Sequence, residues 1–362
     1  MKKLLFKCAL IAVFVYGIVI SVNKIADPAN IAGDDLVVEM ADRLLAGEAV
    51  VSPGDYNEGL MHRLILDEKD PGTVIIGSSS VLYIPWEYDN YQVIGLSGAY
   101  LWDDLAAVGL LDANGNLPER IVICVDPWIL RTDQGVGHHD SISEYGRFEA
   151  ALSAGMEREE ALKILDEKKT DDSWKEFLSF SYFQSSVEYI GKWGWSYVLS
   201  PAEERIRSAG PDEYDSLPCI LPDGRHTGLS FDPVVKMDGD ANWLIESGHI
   251  DSLGEEFAAL SPDNTELFEN LIKHLTEEGV TVELYLPAMY PVLYDHIKAS
   301  DAYEGVELSE MWIRDMASSY GVTVRGTFDP SLSGVTREDF ADWHHIKPEK
   351  GLEEYHFILE QS

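Results

Sequence analysis

The chain has 362 residues, 45% of them hydrophobic, with nine Trp and seventeen Tyr, which excludes general disorder and allows a large core in one or two domains. Lys plus Arg number 27 against 64 Asp plus Glu, a formal net charge of −37. Phosphate neutralisation needs the opposite balance, so nucleic acid is excluded as a partner and the acidic excess reads as a solvated surface. Three cysteines make no disulfide framework, and neither a CxxC pair nor a Cys/His cluster with zinc spacing occurs, so no metal and no cofactor is expected. Cys124, inside the apolar run Ile121-Val122-Ile123-Cys124-Val125, reads as a buried thiol; a bridge to Cys219 is the alternative.

Lys2, Lys3 and Lys7 precede fifteen uncharged residues, 8–22. With Lys7 snorkelling, the apolar span approaches the ~20 residues needed to cross a bilayer. Lysines on the N-terminal flank predict a single-pass anchor, residues 1–23, with a cytoplasmic N-terminus and an exported body. A cleaved signal peptide competes, but no small-x-small site follows Ser21, and the uncleaved anchor is preferred.

Residues 34–50 and 56–66 have helix-like apolar spacing and form a lead-in, residues 24–70. Strands are predicted at 73–77, 92–96, 121–125, 280–286 and 322–324. Helical patterns lie between them at 100–111, 262–279 and 308–320, the last stopped by Gly321. This alternation indicates a parallel α/β sheet with helices on both faces, built from residues 71–131 and 252–362. Ligands bind such sheets beyond the carboxyl ends of the strands. Residues 132–251 form a long insertion between the third and fourth strands, expected to be a lid or substrate wall. It is charged over 157–172, aromatic over 177–197, and has a turn at Pro222-Asp223-Gly224 between two short runs.

The first strand ends in Gly77-Ser78-Ser79-Ser80, where a tight turn raises a hydroxyl above the sheet and frees a backbone N–H for an oxyanion. Near the C-terminus stands Asp342-Trp343-His344-His345. In a helical turn, Asp342 and His345 face one side, so the carboxylate can hold one imidazole nitrogen and leave the other as a base. His344 points elsewhere and reads as structural. After the second strand, Gly95-Leu96-Ser97-Gly98 offers in Gly98 a second oxyanion N–H.

Taken in this order, the blocks resemble the SGNH (GDSL-like) hydrolase superfamily. The resemblance implies a three-layer α/β/α, flavodoxin-like fold with a parallel sheet. It matches Ser79 to the nucleophile, Gly98 to the oxyanion glycine, Asp342 to the orienting acid and His345 to the base, with the Ser79 N–H also in the oxyanion hole. It covers roughly residues 72–126 and 280–351. Two departures stand out: Ser78 replaces the usual acidic residue, and Val125-Asp126-Pro127-Trp128 replaces the Gly-x-Asn-Asp block, so the oxyanion asparagine has no counterpart. In that loop Trp128 and Arg131 are candidates to border the substrate, Trp128 equally a candidate for the core. His138-His139-Asp140 tempts as a metal site, but adjacent histidines reach one ion poorly; a polar loop at the site mouth, with His139 near substrate, is preferred.

An anchor followed by such a domain looks like the envelope-acylation branch, similar in layout to the teichoic-acid D-alanine transfer and alginate O-acetylation proteins. The implied function is an exported serine esterase or O-acyltransferase on acyl groups of an envelope polysaccharide, with an acylated glycan as substrate and a membrane-bound O-acyltransferase as partner. The alternative is a non-catalytic glycan-binding or complex-assembly protein on the same core.

Overall fold

The computed structural model describes residues 2–28, 35–54, 56–132, 137, 139–166, 173–214 and 216–359; the side chains at 2–5, 8, 9, 11, 12, 173, 174, 176 and 251 are outside that set. The described strands are β1 (Ala49–Val51), β2 (Thr73–Gly77), β3 (Tyr91–Gly95), β4 (Arg120–Cys124), β5 (Ser208–Ala209), β6 (Cys219–Ile220), β7 (Thr281–Leu286) and β8 (Thr323–Gly326).

Five of them form a wholly parallel sheet in the order β3-β2-β4-β7-β8. Counted among themselves they run 2-1-3-4-5, the doubly wound order whose switch point lies between its first and third strands, here β2 and β4. Val74, Ile75 and Ile76 of β2 and Ile121, Val122 and Ile123 of β4 are all fully buried, because both faces of the central strands are covered. The five strands fall where the apolar runs predict them.

The two faces are covered differently. On one, Val74, Ile76, Ile94, Ile123 and Leu284 pack with Leu105, Phe268 and Ile313 from the long helices Leu101–Ala113, Pro262–Glu277 and Gly305–Tyr320. On the other, Ile75, Val93, Val122 and Tyr285 meet Val81, Ile84 and Trp86 from the β2–β3 loop and Tyr355 from the short helix Pro348–Tyr355. Helix thus lies on both faces, but on this one it is a single short helix with loop side chains filling the rest. The β2–β3 connection, residues 78–90, carries the 3-10 turn Ser79–Val81 and no α-helix, and Trp86 and Tyr355, with ring centroids 4.9 Å apart, fill the space instead.

The insertion contributes to several layers. Its helix Ser143–Ser153 packs on Leu101–Ala113 at a crossing that only glycine permits. A Cβ on Gly109 would stand 2.2 Å from the Tyr145 carbonyl oxygen, and one on Gly146 2.8 Å from that of Trp102. In a second, antiparallel sheet, β1 lies between β5 and β6, with Val50 opposite both Ser208 and Ile220. Residues of the lead-in and the insertion therefore share one small core, where Met40, Leu44 and Ile65 pack with Ile206 and Ile220. The Pro222-Asp223-Gly224 turn docks on the sheet edge, with the Val93 N–H donating to the Asp223 carbonyl at 2.8 Å. Cys124 and Cys219 are both buried and free, so the bridge does not form.

The N-terminal helix Lys2–Ala26 meets the aromatic helix Phe180–Val198 of the insertion. Buried Asn23 fixes the meeting, its Nδ2 donating to the Phe177 and Ser179 carbonyls at 3.0 Å each. Among the described residues, no helix is long and apolar enough to cross a membrane.

Candidate active site

The site stands at the carboxyl ends of β2 and β4, on the switch point. β2 ends at Gly77, and Ser79 opens a single 3-10 turn, Ser79–Val81, with the Leu82 N–H donating back to the Ser79 carbonyl. The turn rests on a chain of hydroxyls. Ser78 Oγ donates to Ser80 Oγ at 3.1 Å, and Ser80 Oγ donates to Asp126 Oδ1 at 3.1 Å. Asp126 follows β4 and is 3% exposed. Burial raises its carboxyl to about 7, against the lowering effect of the Ser78 and Ser80 hydrogen bonds and of His345.

His345 reaches Ser79 from the C-terminal segment. Its Nε2 lies 2.9 Å from Ser79 Oγ and its Nδ1 2.8 Å from Asp342 Oδ2. Asp342 Oδ1 accepts the backbone N–H groups of His344 and His345, each at 2.7 Å. Burial pushes the Asp342 carboxyl up, but the hydrogen bonds and charge of His345 and the two backbone N–H groups outweigh it and hold it at about 2. Ionised Asp342 can only accept, so Nδ1 carries the proton and Nε2 is left to accept from Ser79.

The expected helical turn at Asp342–His345 is corrected. The segment is irregular, tied by the Phe340–Ile346 bridge and by Ala341 N–H donating to the His345 carbonyl at 2.8 Å. An aspartate that caps its own following N–H groups favours this turn over helix. His344 lines the same cleft as Ser79 and stacks on Trp128, with ring centroids 5.8 Å apart and planes 28° apart. Burial first, then the neighbouring His345 charge, lowers its imidazole to about 3, so it stays neutral.

Gly98 borders the same cleft, of about 390 Å³, as Ser79 and His345. Its φ of +67° is the left-handed conformation that glycine adopts freely. Among the described residues, no backbone carbonyl accepts from the Ser79 or Gly98 N–H. The Gly98 turn is braced from behind by Glu58, which accepts from the Ser97 N–H at 2.7 Å and the Ser97 hydroxyl at 2.8 Å.

The other candidates lie as follows. Trp128 is both core and cleft wall: 5% exposed, it borders the cleft and donates Nε1–H to the Ala99 carbonyl at 3.0 Å. Arg131 is not on the cleft; it donates to the Ser252 carbonyl at 2.8 Å and packs on Gly254. His139 sits behind the Gly98 turn, Nε2 3.2 Å from the Ser97 carbonyl, and does not line the cleft. His138 lies outside the described residues. Asp232, Lys236 and Asp240, from the insertion, form the far wall, with Lys236 bridging the two carboxylates at 2.7 and 2.8 Å.

Asp126 and Glu58 escape sequence reasoning. A carboxylate directly after an apolar strand at the switch point is the signal that was available for Asp126; Glu58 carried none. A buried group away from the cleft also gathers metal-ligand types: Asp112, Glu149 and His274 hold ligand atoms within 4.8 Å of one another. Asp112 there already bonds Arg158 and His274, an ion-paired arrangement. No family model and no curated protein matches the chain.

Proposed function

We propose that the protein is an SGNH-like serine esterase or O-acyltransferase that works through an acyl-Ser79 intermediate. One observation carries the reading: Ser79 Oγ, His345 and Asp342 form a continuous hydrogen-bonded relay of 2.9 and 2.8 Å at the sheet's switch point. His345 Nε2 takes the Ser79 proton as Oγ bonds to the acyl carbonyl carbon. The tetrahedral oxyanion is held by the N–H groups of Ser79 and Gly98. The carbon–oxygen bond to the leaving alcohol then breaks, and His345 returns the proton to it. Water or a sugar hydroxyl, deprotonated by His345, attacks the acyl-serine and regenerates Ser79.

The substrate class is an acylated envelope glycan and the partner a membrane-bound O-acyltransferase, with residues 1–23 as a single-pass anchor and the body outside the cytoplasm. The lysine-flanked apolar run at 8–22 and the order of the sequence blocks support this. A binding-module reading draws on the absent asparagine block, where Asp126 stands with its carboxyl turned to Ser80.

The test is fluorophosphonate labelling and p-nitrophenyl acetate cleavage by the full-length chain beside Ser79→Ala and His345→Ala. Labelling and cleavage lost in both variants is the expected result. A folded wild type that neither labels nor cleaves overturns the enzyme reading in favour of the binding module.

A further inference from the structure

Both carboxyl oxygens of Glu149 are buried without a hydrogen-bond partner among the described residues, and the residue is 0% exposed. A carboxyl in that position is costly unless a proton or a cation neutralises it. What it faces is a set of metal-ligand atoms. His274 Nε2 lies 3.9 Å from Glu149 Oε1 and 2.8 Å from Asp112 Oδ2, and one ligand atom from each of the three residues lies within 4.8 Å of the other two.

The three donors come from three helices: Asp112 from Leu101–Ala113, Glu149 from Ser143–Ser153 and His274 from Pro262–Glu277. Far apart in the chain, they show no local ligand spacing in the sequence. Arg158 fixes Asp112 from outside, Nη1 donating to Oδ1 at 2.5 Å and Nη2 to the Asp112 carbonyl, which leaves Oδ2 to the group. An outer partner that orients a ligating carboxylate is a regular part of metal sites. Around one zinc, with bonds of about 2.0–2.2 Å in a tetrahedron, ligand atoms stand ~3.3 Å apart. The spacings of 2.8 and 3.9 Å lie on either side of that value, so small side-chain shifts seat the ion. Calcium wants six to eight oxygens, which one imidazole and two carboxylates do not supply.

We propose that Asp112, Glu149 and His274 bind a divalent transition cation of the zinc type, with water in the fourth position. The ion clips the insertion helix Ser143–Ser153 to the two core helices. The proton on His274 Nε2 that bonds Asp112 leaves to solvent and the cation takes its place, its charge balanced by the two carboxylates. The His274 side chain is 13% exposed against 3% for Asp112 and 0% for Glu149, so the ion enters past His274. The site is structural, stands away from Ser79 and does not depend on it.

The experiment strips the full-length chain with EDTA, removes the chelator and adds zinc chloride, beside Glu149→Gln and His274→Gln. The expected result is one zinc retained per wild-type chain by elemental analysis after gel filtration. Saturating zinc should also raise the wild-type Tm by about 3 °C or more, because the ion binds the folded state alone. Glu149→Gln fills the same space without the charge and should lose both effects while its circular dichroism spectrum is unchanged; His274→Gln should do the same. A folded wild type that retains no zinc overturns the site, and so does zinc retained equally by the wild type and either folded variant.

Discussion

Ser80 Oγ donates a 3.1 Å hydrogen bond to Asp126 Oδ1 across the carboxyl ends of the two central strands. The bond couples the turn that carries Ser79 to the strand that follows it in the sheet order. Asp126 lies in the segment that stands in place of the Gly-x-Asn-Asp block implied by the resemblance, and its carboxylate accepts from the serine turn.

Burial raises Asp126 to about 7, so the folded state binds its proton more tightly than the unfolded chain does. Stability from this group is greatest at low pH and falls as pH rises from the ordinary carboxylate value of about 4 toward about 7. Asp126→Asn removes that dependence. Urea midpoints of the wild type and variant, compared between pH 5 and 8, should show the wild type losing ground as pH rises; parallel curves contradict the assignment.

Asp342 is held at about 2 and stays ionised at every pH where the protein would be assayed. Asp342→Asn keeps the shape of the side chain but offers Nδ1 an amide, which can select the wrong imidazole tautomer. Ester cleavage should fall by a factor on the order of 10³ or more with the circular dichroism spectrum unchanged. A loss smaller than ten-fold would remove Asp342 from the relay.

Glu58 touches neither Ser79 nor His345, yet it holds the Ser97 N–H and hydroxyl one residue ahead of Gly98. Glu58→Ala frees the turn and displaces the Gly98 N–H. The expected signature is a kcat reduced about ten-fold at constant KM, as for an interaction made only in the transition state. A rise in KM alone would place Glu58 in substrate binding instead.

Two glycine substitutions test the packing. Gly109→Ala drives a methyl group to within 2.2 Å of the Tyr145 carbonyl oxygen and should cost about 2 kcal/mol or more by overpacking the helix crossing. Gly239→Ala, on the exposed face of the helix Val234–Ser247 with nothing within 4 Å of the new Cβ, should stabilise by about 0.5–1 kcal/mol. Denaturant midpoints that move in the same direction for both would contradict the crossing geometry.

The parallel sheet was legible because its strands are buried on both faces and so read as short unbroken apolar runs, Val74–Ile76 being the clearest. Ser79 and Gly98 could be singled out because each stands in a Gly/Ser turn just after such a run, and Asp342 and His345 by their Asp-x-x-His spacing; the structure brings all four to one cleft. What the sequence hid is non-local. β5 and β6 are two residues each, too short for any periodicity, and exist only because Val50 pairs with both. The turn at Asp342 was misread as helical because spacing alone cannot register that the carboxylate caps the next two N–H groups.

The docking of the Pro222-Asp223-Gly224 turn on Val93 has its counterpart at the other margin of the sheet, where the Gly326 N–H of β8 donates to the Phe357 carbonyl at 2.8 Å. Both outer strands thus have backbone groups occupied by chain from elsewhere in the sequence. Such margins, left open, recruit strands from other molecules. The insertion therefore cannot be trimmed away to leave a clean minimal α/β core: removing it uncovers β3 as a template for intermolecular pairing, and the shortened protein should aggregate.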